Sequence, residues 1–233
     1  MMKKLILAGA IFMAVWGWSV SVAVAAQTAA TNKPALEPLN LALPAPAFQG
    51  TAIDPPEGPN IEKPSDKLRP PFLAPKGVLN LAAKMKVTSS DKSPVTGALE
   101  MVTDGNKEST DDSYVELHRR VQWFQIDIEA PYAIYVIMVW HAHNFPQIYH
   151  DVVIQVADDP EFLQDVRTVF NNDYDNSAGL GIGTDKEYFE THEGRLIDAK
   201  GVKGRYVRLY SRGSTFSGLN RMTEVEVYAL AAP

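Results

Sequence analysis

The side chains best suited to chemistry fall in four short stretches of the sequence. Asp104-Gly105-Asn106, followed by Thr110, gathers a carboxylate, an amide and a hydroxyl around a glycine that permits a tight turn. A hard cation such as Ca2+ takes donors of these types, about six to eight oxygens at a time. The same residues can instead close an Asx turn on their own hydrogen bonds. The other three stretches mix aromatic rings with imidazole, amide, hydroxyl and guanidinium groups. They are Trp140-His141-Ala142-His143-Asn144-Phe145, then Asn171-Asn172-Asp173-Tyr174-Asp175-Asn176, then Arg212-Gly213-Ser214-Thr215-Phe216-Ser217-Gly218-Leu219-Asn220. A flat ring for the apolar face of a pyranose, with fixed polar groups for its hydroxyls, is the chemistry of saccharide recognition. Ordinary loop packing is the competing reading of each stretch.

Other chemistries fit less well. His141 and His143 are two apart and point the same way on a strand, with His150 nearby. Zinc wants three or four such ligands at fixed geometry, and no Glu or Cys at recognisable spacing completes the set. A polar pair at a strand end is the reading we adopt. Asp173 and Asp175 suggest a second cation loop, but the spaced Gly and terminal Glu of the D-x-D-x-D-G pattern are missing. A solvated turn is the default there. Gly179-Leu180-Gly181-Ile182-Gly183 lacks the lysine and following helix of a phosphate loop. There is no G-x-S-x-G nucleophile elbow, and no pair of carboxylates is assigned to glycoside hydrolysis, so the expectation is a non-enzyme.

These stretches must be held by a scaffold, and the scaffold reads as β. In Val121 to Ile128, Phe124, Ile126 and Ile128 share one face. Ala133 to Trp140 is continuously apolar, which predicts a central strand covered on both faces. Tyr149 to Val156 places Val152, Ile154 and Val156 inward, and Arg205 to Leu209 does the same with Val207 and Leu209. Thr223 to Tyr228 predicts Val225 and Val227 buried, with Glu224 and Glu226 exposed. Shorter strands are expected at Lys84 to Thr88, Val115 to Leu117, Val166 to Phe170 and Glu187 to Phe189. Helix is confined to short turns at Gly97 to Val102 and Asp159 to Leu163. Many short strands between Gly, Asn, Asp and Pro argue for an all-β sandwich or barrel.

Upstream of Gly77 the chain changes character. Lys3 and Lys4 precede the apolar run Leu5 to Val15, and Ala23-Val24-Ala25-Ala26 supplies small residues, the order of a secretory signal peptide over residues 1–26. The same stretch can be counted as an uncleaved membrane anchor. No later segment approaches the roughly 20 apolar residues of a spanning helix. Eleven of the sixteen prolines lie between Pro34 and Pro75, so residues 27–76 read as a semi-rigid spacer. The alternative is an arm that packs on a partner through Phe48, Ile61 and Phe72. Residues 77–231 then form one domain. There is no cysteine, so the fold relies on its core or a metal rather than on disulfides. The net charge of −6, which becomes −8 without Lys3 and Lys4, argues against nucleic acid or an anionic membrane surface as partner.

The ordered pieces of residues 77–231 resemble the discoidin, or coagulation-factor type C, domain of the galactose-binding-like jelly rolls. Those pieces are Asn80-Leu81-Ala82, Val102-Thr103-Asp104-Gly105-Asn106 with Thr110, Trp123-Phe124-Gln125-Ile126-Asp127-Ile128, Arg205-Tyr206-Val207-Arg208-Leu209 and Thr223-Glu224-Val225-Glu226-Val227-Tyr228. The resemblance implies a jelly-roll sandwich that binds a galactose-like glycan, a module that the signal-peptide pattern marks as exported. It also implies a structural Ca2+ held by Asp104, Asn106, Thr110 and, from the last strand, Glu224. His141, His143, Arg212 and Phe216 stand at positions comparable to the family's sugar ligands, and Tyr174 and Asn220 lie in the same loops. Many family members tie the domain ends with a disulfide, which this chain cannot form. A protein-interaction subunit, docking the sandwich and its proline-rich arm on another exported protein, is the alternative.

Overall fold

The computed structural model describes residues 34–48, 56–65 and 67–231; the expected signal peptide, residues 1–26, lies outside them. The described residues form ten strands: β1 (Leu36–Pro38), β2 (Leu73–Pro75), β3 (Leu79–Asn80), β4 (Val87–Ser89), β5 (Val115–Leu117), β6 (Gln122–His141), β7 (Val153–Ala157), β8 (Arg167–Asn171), β9 (Arg195–Ser211) and β10 (Asn220–Ala231). The only helix among the described residues is a single 3-10 turn, Leu99–Thr103, overlapping the Gly97 to Val102 stretch where a short helical turn is expected. The predicted all-β sandwich is what forms, and every pairing between these strands is antiparallel.

Two long strands build both layers. The first half of β6 pairs with β4 and with the second half of β9, which continues through β7 to the edge strand β8. The second half of β6 pairs with β10 and with the first half of β9. The passage between layers coincides with a register shift between Asp127 and Tyr132, where Glu129 has a φ of 68° and Pro131 follows. A bulge of this kind bends a strand and lets it serve two sheets. Phe124, Ile126, Ile137, Val139, Ile154, Val156, Val207, Leu209, Val225 and Val227 meet between the layers as one buried cluster. Burying each such side chain contributes about 1.5–3 kcal/mol.

The proline-rich segment departs from the expected spacer over its described residues. β1 pairs with β2, and Leu39, Leu41, Phe72 and Val78 cover the outer face of the second layer. Beneath them lie Val136, Met138 and Trp140 of β6 and Tyr228 of β10. The continuous apolar run in β6 thus has the second cover it requires, and the cover comes from the chain itself. Arg195 forms a two-pronged pair with Glu62 at 2.7 and 2.8 Å. Arg69 donates to the carbonyls of Gly194 and Glu193 at 2.8 and 3.0 Å. Gly194 has a φ of +62°, and a Cβ there would come within 2.5 Å of the Trp140 ring.

Three smaller expectations are also corrected. Glu224 and Glu226 point away from the core as the alternation requires, yet both are buried, because loop 104–110 and the arm cover that face. Lys107 joins the cover: it pairs with Glu226 at 2.6 Å, donates to the Ala42 carbonyl and lies over the Trp140 ring. Asp159 to Leu163 forms a turn rather than a helix. The Asp159 carboxylate accepts the amides of Glu161, Leu163 and Gln164, while Phe162 at φ 56° breaks the helical path. Glu187 to Phe189 makes only isolated bridges, to Ile61 and Ile148.

The ends of the sandwich are joined without a disulfide. β3 pairs with β10, matching Asn80 with Tyr228. The Asn80 side-chain oxygen accepts both the Ala82 and Val227 amides, at 3.1 and 3.0 Å.

Candidate functional site

The loop after the 3-10 turn meets β10 at Glu224. One Glu224 oxygen accepts the Gly105 amide at 3.1 Å, and the other, Oε1, has no partner. β10 has a register shift between Met222 and Glu224, so Thr223 and Glu224 are both fully buried. Burial pushes the Glu224 carboxyl up to about 8, with Glu226 and Asp104 adding to the effect. Burial thus favours the neutral carboxyl, whose Oε1 has no protein partner and lies beside the exposed Asp104 loop. Asn106 and Asp104 also form successive Asx turns, accepting the amides of Glu108 and Asn106 at 3.0 and 2.7 Å. Thr110 closes the far end of the loop, its amide and hydroxyl donating to Ser113 Oγ, whose single hydroxyl proton lies within reach of the Glu108 and Thr110 carbonyls. Asp104, Asn106 and Thr110 are thus engaged in the turns that shape the loop, and Glu224 Oε1 is the donor oxygen left over beside them.

Of the six expected ligand residues, three are interior and three are exposed. His141, His143 and Asn220 are interior, a correction to their expected place on the binding surface. His141 ends β6, stacks on Tyr149 at 4.3 Å and 14°, and holds Glu190 through Nδ1 at 2.7 Å. His143 turns toward loop 104–110 instead, its Nε2–H donating to the Lys107 carbonyl at 2.9 Å and its backbone amide donating to the Ser109 hydroxyl oxygen at 2.7 Å. Its imidazole is held below the ordinary value by burial, which favours the neutral form. The two histidines thus have separate partners, and no metal-sized cluster among the described residues contains them. Asn220 accepts from the Ser211 hydroxyl and the Gly213 amide, and donates to the carbonyls of His118 and Arg120. All of its hydrogen-bonding capacity for protein partners goes to holding three segments together.

Phe216, Tyr174 and Arg212 are exposed at the loops where they were expected. Phe216 lies parallel to Phe145, with ring centroids 4.8 Å apart and planes 11° apart. The two rings are 56% and 42% exposed. Phe145 belongs to the same stretch as the two histidines, and it carries the exposed surface that they do not. Loop 212–219 is positioned by Thr215, whose amide donates to the Ile148 carbonyl, and by Ser214, whose hydroxyl donates to Gln147. Arg221 lies over Phe216 at 5.7 Å.

Arg212 reaches Asp151 at 3.5 Å. Asp151, Asp173 and Asp175 place carboxylate oxygens within 4.8 Å of one another. Ser177 knits them together, its hydroxyl donating to Asp151 at 2.6 Å and its amide to Asp173 and Asp175 at 3.0 Å each. Ala178 adds an amide to Asp173 at 2.8 Å. Next to this loop, His150 bonds Glu187 at 2.7 Å, which raises the imidazole above its ordinary 6.5 against the opposing pull of burial. A histidine raised in the folded state contributes stability below about pH 6.5 that disappears as pH rises through its folded value. An NMR titration of the His150 ring should therefore show a midpoint above 6.5, and Glu187→Gln should bring it down. An unchanged midpoint in the variant would remove the link.

The sequence matches no protein-family model and no curated protein. Among solved structures it is similar to a family 89 glycoside hydrolase from Clostridium perfringens, at 15% identity and a TM-score of 0.48, covering 66% of this chain and 15% of that one. A fucose-binding module from Streptococcus pneumoniae aligns at 19% identity and a TM-score of 0.46, over 65% of this chain and 98% of the module. A chitosan-binding module of a chitosanase/glucanase from Paenibacillus sp. IK-5 aligns at 17% identity and 0.42, over 65% and 99%. The solved structures that resemble this chain thus include carbohydrate-binding modules, while only a small part of the glycoside hydrolase is spanned.

Proposed function

We propose that this chain is an exported, non-catalytic carbohydrate-binding module stabilised by calcium. The observation that carries the reading is the exposed parallel pair of Phe145 and Phe216 on neighbouring loops. The stacked rings cover one face of each other and remain partly open to water, an exposed apolar surface that can meet the C–H face of a pyranose. Arg212 and Tyr174, exposed on adjoining loops, supply donors and acceptors for hydroxyls. The sugar-binding descriptions of the fucose- and chitosan-binding modules agree with this reading. Calcium at Asp104, Asn106, Thr110 and Glu224 would displace the Glu224 proton that burial favours, bind the carboxylate and fix the loop that His143 grips, two residues from Phe145. Export is supported by the basic, apolar and small-residue order of residues 1–26.

Phe216→Ala should weaken galactose binding about tenfold, the loss of one aromatic contact of about 1.4 kcal/mol. The residue is exposed, so its melting temperature should stay near that of the parent. Calorimetric titration of both proteins checks this. Retained affinity would move the ligand off the aromatic pair, and no binding of any glycan on an array would end the carbohydrate reading. The alternative, a protein-interaction subunit, is favoured by the exposed Leu36, Leu73 and Leu79 of the arm and β3. A single stoichiometric protein partner together with a blank glycan array would select it.

A further inference from the structure

A groove of about 980 Å³ runs along the side of the sandwich, between the arm and the segment 188–196. Phe48, Pro64 and Leu68 line it on the arm side, and Phe189 and Thr191 face them. Its walls are pinned at both levels. The Glu62–Arg195 pair ties one part of the arm, and Arg69 ties the next through Glu193 and Gly194, with its own amide donating to the Glu193 carboxylate at 2.9 Å. Arg195 in turn lies over the Tyr188 ring at 4.5 Å. These bonds hold the arm at the sandwich while leaving a channel beside it.

Pro146 also lines the groove, and it directly follows Phe145 of the exposed aromatic pair. Groove and platform therefore adjoin through consecutive residues. The volume is at the top of the range of about 300–1,000 Å³ that serves drug-sized ligands, far more than one sugar ring fills. The lining combines apolar rings of proline and phenylalanine with the hydroxyls of Ser65 and Thr191 and charged side chains. Such a mixture suits a hydroxyl-rich chain with apolar C–H faces.

We propose that the groove binds the continuation of a linear saccharide chain whose first unit lies on Phe145 and Phe216. This rests on the carbohydrate reading above and extends it from a single sugar to an oligosaccharide. The proline-rich arm then acts as one wall of a binding cleft.

The test uses the full chain with galactose and with linear galacto-oligosaccharides of increasing length, by calorimetric titration. The unmodified protein should gain roughly tenfold in affinity from the single sugar to the longer chains, one further aromatic contact's worth. Thr191→Trp, an exposed position on the groove wall, should remove that gain and leave galactose affinity unchanged. Leu68→Trp, from the opposite wall, repeats the blockade should the first variant melt early. Affinity independent of length, or a length gain that survives both blocking residues, overturns the groove while leaving the carbohydrate reading intact. Failure of every saccharide to bind the unmodified protein overturns both.

Discussion

Adding calcium to the metal-free protein is expected to raise its melting temperature by roughly 5–10 °C, and Glu224→Gln is expected to abolish that response. A ligand that binds only the folded state at a hundredfold excess over its Kd contributes about 2.7 kcal/mol. For a domain of this size each kcal/mol moves the melting temperature by roughly 2–4 °C. The site explains why the effect is large. Glu224 is fully buried, Gly105 satisfies one of its oxygens, and the other has no partner. A cation there converts an uncompensated buried group into a ligand and clamps loop 104–110 to β10. Magnesium at the same concentration should do little, because it dehydrates reluctantly and demands a tighter octahedron. The measurement is thermal unfolding with chelator, calcium or magnesium, on both proteins. Identical curves with chelator and with calcium for the unmodified protein would remove the ion from the account.

The second large effect is expected at a residue with no ligand at all. Asn220→Ala should destabilise the domain by about 3–5 kcal/mol, on the order of 10 °C or more. Its side chain accepts from Ser211 and Gly213 and donates to the carbonyls of His118 and Arg120. Alanine leaves the partners of four hydrogen bonds unsatisfied in the interior, and each such group costs about 1–3 kcal/mol. The loop from Arg212 to Leu219 would also lose its base, so glycan binding should fall with stability. Denaturant unfolding followed at one temperature gives the number. A loss below about 1 kcal/mol would show that water replaces the amide and that Asn220 is not a keystone.

The periodic strands were legible because a half-buried strand writes its burial into alternate residues. Phe124, Ile126 and Ile128, like Val225 and Val227, could be placed inward from spacing alone. The unbroken apolar run of β6 also told truly that both faces are covered. What covers the second face was hidden, because prolines at 34 to 75 speak only of lost amide donors. Arg69 and Glu62 find their partners more than a hundred residues away, and no local pattern announces that. The same limit applies to the polar loop residues. Imidazole and amide groups serve a buried network as well as a ligand, so His141, His143 and Asn220 read alike until their surroundings are known. Phe145 stands in the same stretch, and its ring reaches the surface where the two imidazoles do not.

The packing of the arm also bears on how such a domain can be inherited. Leu39, Leu41 and Phe72 shield Trp140, Met138 and Tyr228, and Glu62 and Arg69 secure the segment to residues 193–195. A recombination event that carried only Gly77 onward would deliver every strand of the two layers with one face stripped. The transferable unit starts at least as far upstream as Pro34, so shuffling at the visible change in composition would cut through a finished fold.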